Sequence, residues 1–306
     1  METATLRRAP PIPAAVQVGL VAFLLALAGT AWAVTGDRMD GMDAGPGTEL
    51  GSLGRFVGLW VTMMAAMMLP SLQPVVLTHA RLRTGSLRPI AATAAFVAGF
   101  LGSWAGAGLL GYALFEATRS LEVGFLAWDD AGRYVAGGVL FGAALWELTA
   151  PKDACLGHCR SPGLLLEDWR SGRLGAVRMG IEHGAVCIGC CWALMAALFA
   201  LGVMSIGWMA LIAVLIAAEK LLPWKRVAVR GVAIVLAALA LAVVIAPEDV
   251  PGLTIPGSPE AMDAMGMEPE SGAIGGKSEG GAIGVEPEGG GMGGEPGAMV
   301  GYAMGR

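Results

Sequence analysis

Three cysteines fall within five residues of one apolar stretch. In Cys187-Ile188-Gly189-Cys190-Cys191-Trp192 the thiols are spaced i, i+3 and i+4, and His183 stands four residues before Cys187. A helix completes a turn in about 3.6 residues, so on a helix these four side chains share one stripe. Thiolates and imidazole are soft to borderline ligands that suit Cu(I), with Zn(II) an alternative at the Cys and His positions. A lone cysteine in such a helix reads as a small apolar residue, an explanation that fits one thiol better than three beside a histidine.

Two further groups could contribute. In Met63-Met64-Ala65-Ala66-Met67-Met68-Leu69-Pro70, Met63 pairs with Met67 and Met64 with Met68 at i, i+4, forming either two thioether ladders or a flexible core filling. In 152–162, Cys155 and Cys159 flank His158 in a Cys-x3-Cys pattern. That segment is either a gate or loading site for the His183 to Cys191 stripe, or a solvated basic loop. None of the five cysteines is expected on the oxidising side, so they argue for metal binding or redox exchange rather than a disulfide framework. Glu147, Glu182 and Glu219-Lys220 lie at the ends of apolar runs, where snorkelling or mutual pairing accounts for them. Met39 and Met42 alternate with Asp40 and Asp43, and Met262, Met265, Met267, Met292, Met299 and Met304 lie in Gly- and acid-rich surroundings. They form a thioether capture arm or an acidic spacer. No phosphate loop, nucleophile elbow or paired carboxylates are evident, which disfavours kinases and ordinary hydrolases; a binding role is expected ahead of an enzymatic one.

What must position these residues is set by composition. The 306 residues are 55% hydrophobic and 15% charged, far more apolar than an ordinary soluble domain. Uncharged runs at about 14–34, 56–77, 89–115, 132–150, 180–203, 206–222 and 227–246 approach or exceed the roughly 20 residues that cross a bilayer. They predict an all-α integral membrane protein, a bundle of about seven transmembrane helices (14–246) between a cytoplasmic N-terminus (1–13) and a disordered, acidic, Gly/Met-rich C-terminal tail (247–306). The first run follows Arg7 and Arg8 and ends in Ala31-Trp32-Ala33 like a secretory signal, but its length favours an uncleaved helix. Spacings such as Gly102 to Gly106 and Gly138 to Gly142 suggest close helix packing. Lys and Arg cluster in alternate connections, placing the N-terminus in the cytoplasm and the tail outside it. The net charge of −5 comes largely from the tail, and no basic face suggests nucleic acid. Met67 and Met68 in the second run, and Cys190 and Cys191 in the fifth, lie about ten residues, roughly 15 Å, from the same boundary. If those helices touch, thiolates and thioethers converge near mid-membrane.

On these residues the sequence resembles a bacterial family of predicted metal-binding integral membrane proteins known as a domain of unknown function. The resemblance lies in 60–71 (WVTMMAAMMLPS), 152–162 (KDACLGHCRSP), 184–205 (GAVCIGCCWALMAALFALGVMS) and Trp208 with Glu219-Lys220, and spans about residues 55–222. It implies a multi-pass protein of the bacterial inner membrane. One member resembles a copper chaperone supporting assembly of a tyrosinase-type enzyme, which implies an extracytoplasmic cuproenzyme or copper carrier as partner beside the lipid bilayer. Two rival readings remain. One is a transmembrane thiol–disulfide relay using Cys187 with Cys190 or Cys191, for which a second intramembrane cysteine on another helix is wanting. The other is a non-binding assembly scaffold that recruits its partner through the tail.

Overall fold

A computed structural model describes residues 13–39, 51–82, 89–120, 131–161 and 172–255, with 258 and 262. Among the described residues nine α-helices follow one another: α1 Ala14–Met39, α2 Leu53–Met68, α3 Gln73–Leu82, α4 Pro89–Ser120, α5 Arg133–Glu147, α6 Ala150–Arg160, α7 Gly172–Leu201, α8 Ile206–Leu221 and α9 Lys225–Ile245. Five stretches are long and apolar enough to cross a membrane: Ala14–Met39, Leu53–Thr78, Ala91–Ala117, Arg173–Leu201 and Lys225–Ile245.

The runs at 132–150 and 206–222 are also helical but shorter than the sequence suggests. Helices α5 and α8 have 15 and 16 residues, about 23 and 24 Å at 1.5 Å per residue, against a hydrocarbon core of about 30 Å. Apolar composition continues there beyond the point where the backbone turns. Helix α5 stops at Glu147 and Thr149 caps a new helix. Helix α8 follows a turn in which Gly202 takes φ 112°, and stops two residues before Pro223. The predicted tail also begins too early, because Pro247–Asp249 forms a 3-10 turn and Val250 and Leu253 are buried. Apart from 258 and 262, the tail beyond 255 and its methionines lie outside the described residues, as do Asp40, Met42 and Asp43. Met39 closes α1 and is buried.

Pro70 shapes the methionine helix. Lacking an N–H, it cannot bond the Ala66 carbonyl four residues back, and α2 passes into a 3-10 turn at Leu69–Leu72 before α3. The freed Ala66 carbonyl accepts a hydrogen bond from Trp32 Nε1 of α1 at 3.1 Å, which joins the two helices where the α-helical ladder is broken.

Helix α7 is the hub, packing on α4, α5, α6 and α8, while α5 pairs with α9 and α1 with α2. The α4–α7 contact is backbone on backbone. A Cβ at Gly180 would overlap Phe96 O, one at Gly99 would overlap Val177 O, and one at Gly184 would overlap Ser103 Oγ. The glycines singled out by spacing behave otherwise. Gly102, Gly106, Gly138 and Gly142 are exposed with nothing within 4 Å of a built Cβ; Gly137, not Gly138, faces α9. One residue turns a helix by about 100°, so the right spacing one position off falls on the outer face. That face is apolar, with Leu110, Val214, Ile234 and Ile245 between 62% and 70% exposed.

Candidate metal centre

Cys187 is the midpoint of the Arg173–Leu201 stretch. It is buried in the hub helix together with Cys190 and Cys191. The next thiol comes from α6, the segment that could have been a solvated loop. Its local signals are those of a short helix. Thr149 Oγ1 accepts from Lys152 N at 3.4 Å, Pro151 occupies the first turn where its missing N–H has no intrahelical partner, Asp153 lies near the N-terminus, and His158 and Arg160 lie in the last turn. One face, Lys152, Leu156 and Cys159, is buried against α7 and α8.

This brings three thiols together. The Sγ atoms of Cys159, Cys187 and Cys190 lie within 4.8 Å of one another. Metal–sulfur bonds of about 2.3 Å put ligand sulfurs about 4 Å apart, so the trio needs only side-chain adjustments to be able to hold one soft ion. The Cys190 thiol donates to Cys187 O at 3.2 Å and stands 3.3 Å from Cys191 Sγ. His183 Nε2 lies 4.0 Å from Cys159 Sγ, and the imidazole sits between the Phe96 and Phe100 rings of α4. Hydrogen bonding from Cys187, then from Cys190, holds the Cys159 thiol well below its ordinary pKa, although burial opposes this. Among the described residues all five cysteines are free.

The remaining sequence candidates divide. Cys155 is half-buried outside the trio, its Sγ 3.3 Å from where a Gly189 Cβ would stand, so this glycine makes room for it. His158 is exposed, with Nδ1 2.9 Å from Ala154 O on its own helix, and turns away from the thiols. Met63, Met64, Met67 and Met68 are all buried. Helices α2 and α7 meet through Trp60 and Phe199, 5.7 Å between ring centroids, and Met68 is linked to the cysteines through Lys220. The Lys220 ammonium lies 3.0 Å from Cys187 Sγ and 3.9 Å from Met68 Sδ.

The charges near the centre do not pair as neighbours. Lys152 Nζ lies 2.6 Å from Glu147 Oε2 and 2.9 Å from Glu219 Oε2, with all three side chains at most 1% exposed. Burial opposes the ammonium, but the Glu219 and Glu147 carboxylates outweigh it and raise the Lys152 pKa above the ordinary lysine value. Arg160 donates to Glu219 O and, at 2.6 Å, to Leu222 O, satisfying carbonyls at the end of α8. Lys225 Nζ meets Asp153 Oδ1 at 2.7 Å. Helix α6 is therefore held by charge as well as by packing. Glu182 forms a surface pair with Arg178 at 3.0 Å. Lys152, the first residue of the segment that could have been a solvated basic loop, is the buried charge whose place the sequence concealed. The signal was there in Glu147 and Glu219, two buried carboxylates that need a cation.

A helical bundle with three buried thiols from two helices defines a candidate soft-metal-binding protein. The chain belongs to the PpoB2 copper chaperone family, whose profile it matches over residues 57–243. The match runs past residue 222 and takes in nearly all of α9. Among curated proteins and solved structures no significant match is found.

Proposed function

We propose that this protein is a membrane-embedded Cu(I)-binding chaperone that delivers or transports copper to an extracytoplasmic cuproenzyme or copper carrier. The observation that carries the reading is the meeting of Cys159 with Cys187 and Cys190 within 4.8 Å, in a chain of a copper chaperone family. Copper is the cargo. Cys159, Cys187 and Cys190 are the ligands, His183 and Met68 border them, and Cys155 receives or releases the ion from the α6 side. Five membrane-length helices with an outward apolar face support a bilayer as the surrounding medium, with the N-terminus in the cytoplasm. The sequence resemblance points to a tyrosinase-type enzyme as the recipient.

The test is elemental analysis of the detergent-purified protein, produced with and without copper, beside a Cys159→Ser/Cys187→Ser/Cys190→Ser variant. About one copper per folded chain, lost in the variant, supports the ligand set. Equal copper in both, or none in either, refutes it.

The same geometry favours a second reading. The thiol relay wanted a second intramembrane cysteine on another helix, and the approach of Cys159 on α6 to within 4.8 Å of Cys187 supports such a pair. In such a relay the Cys159–Cys187 dithiol would form a disulfide while a partner disulfide accepts two electrons and two protons and becomes a dithiol. Differential alkylation and mass spectrometry separate the readings: a Cys159–Cys187 disulfide in metal-free protein supports the relay, and two free thiols released on copper removal support the chaperone.

A further inference from the structure

We infer that Lys220 is the charge-matching residue of this centre, its ammonium balancing the negative charge that two thiolates confer on a bound monovalent soft ion. The inference rests on, and deepens, the reading of Cys159, Cys187 and Cys190 as the Cu(I) ligand set.

The argument starts from the partners that Lys220 has. Its ammonium contacts Cys187 Sγ at 3.0 Å and Met68 Sδ at 3.9 Å. Among the described residues no carboxylate pairs with it. The adjacent Glu219 would be the obvious counter-ion, but its carboxylate is turned to Lys152. Lys152 takes Glu147 as well, so the two carboxylates buried among the described residues share the other lysine. A thioether and a thiol are weak acceptors, and a half-buried cation set among them is poorly satisfied unless negative charge stands close.

The centre supplies that charge when it is filled. A monovalent ion held by two thiolates carries −1, and with Lys220 at hydrogen-bond distance from one of those sulfurs the assembly is neutral. The third sulfur can then join as a neutral thiol without changing the count. Lys220 lies on α8, the helix that also receives Arg160 and Lys152 from α6. The helix that brings Cys159 to the trio is thus anchored on the helix that brings the counter-charge. Lys220 is a positioning residue for the ion and need not coordinate it.

The test is Cu(I) affinity, measured anaerobically by competition with a chromogenic Cu(I) chelator, with Ag(I) as a second monovalent probe, on the full detergent-purified chain. A hydrogen bond to a charged group corresponds to roughly 10- to 100-fold in affinity. Lys220→Gln is expected to weaken both ions by that factor while the metal-free protein melts within a few degrees of the unsubstituted one. Lys220→Arg, which keeps the charge, is expected to bind within about threefold. Lys220→Leu, which keeps apolar volume without charge, serves if the glutamine variant does not fold. Unchanged affinity in the neutral variants, or equal loss in Lys220→Arg, overturns the charge-matching role while leaving the ligand set standing. Failure of the unsubstituted protein to bind either ion refutes the ligand set, and the role of Lys220 with it.

Discussion

Lys152→Met isolates the most concentrated electrostatic feature of the fold. The substitution keeps a flexible side chain of similar length but removes the cation lying 2.6 Å from Glu147 and 2.9 Å from Glu219, all three side chains being at most 1% exposed. Removing one partner from a buried pair costs about 3–5 kcal/mol, because the other charge stays buried without compensation. At about 2–4 °C per kcal/mol for a domain of this size, melting should fall by about 6–20 °C. Cys159, Cys187, Cys190 and Cys191 are buried, so a thermal ramp with a thiol-reactive fluorogenic dye reports unfolding directly. In a Glu147→Gln/Glu219→Gln background the same substitution should cost far less, or stabilise, since Lys152 there has lost its counter-ions. The pH dependence has a definite sign. A lysine whose folded pKa is raised contributes fully below its unfolded value near 10.5 and loses that contribution only above it, whereas the buried carboxylates that Lys152→Met leaves without a cation take up protons as pH falls, so the deficit should shrink toward acid. A melting point within about 2 °C of the unsubstituted protein would refute the reasoning.

Two further outcomes test the packing. Gly180→Leu should destabilise by more than about 2 kcal/mol, because even its Cβ overlaps Phe96 O, whereas Gly102→Leu, with nothing within 4 Å, should stay within about 0.5 kcal/mol; thermal melting of both variants decides, and the reverse order would mean that α4 and α7 pack on different faces. Trp32→Phe keeps a ring but leaves the Ala66 carbonyl beside Pro70 without its 3.1 Å donor, and should cost about 1–3 kcal/mol in the same melt.

How far the sequence could be read depended on whether a signal was local. The helical class and the apolar spans follow from composition and run length, and five of the seven expected spans have membrane length. The other two are helical but shorter than their apolar runs, because hydropathy does not register where hydrogen bonding stops: Leu148 and Thr149 are compatible with either continuation or a turn, and the Thr149 cap decides for the turn. The glycines show the same limit in rotation rather than length. Small-residue spacing indicates that a helix has a close-packing face, but without its partner helix the choice between Gly137 and Gly138 is a choice between buried and exposed. Within α7 the cysteine stripe was legible from its spacing, because i, i+3, i+4 on one helix needs no tertiary information. Cys159 was legible as a candidate, but its joining Cys187 was not, since that depends on α6 folding back along α7.

The charged residues show why adjacency in sequence misleads. Glu219 and Lys220 look like a pair that could neutralise itself, yet successive helical residues point about 100° apart. Their side chains therefore address different neighbours. Glu219 reaches Lys152 on α6, and Lys220 reaches Cys187 on α7 and Met68 on α2. Helix α8 thus carries opposite charges toward two sites, and each site must be balanced from another helix. At the first, Lys152 bridges Glu219 and Glu147 and locks α6 in place. At the second, the partners among the described residues are the sulfurs of Cys187 and Met68. The first site holds Cys159 of α6 near the α7 thiols, and the second leaves a positive charge that a thiolate-bound monovalent ion would neutralise, so the structural role and the proposed metal-binding role of α8 come from two consecutive residues.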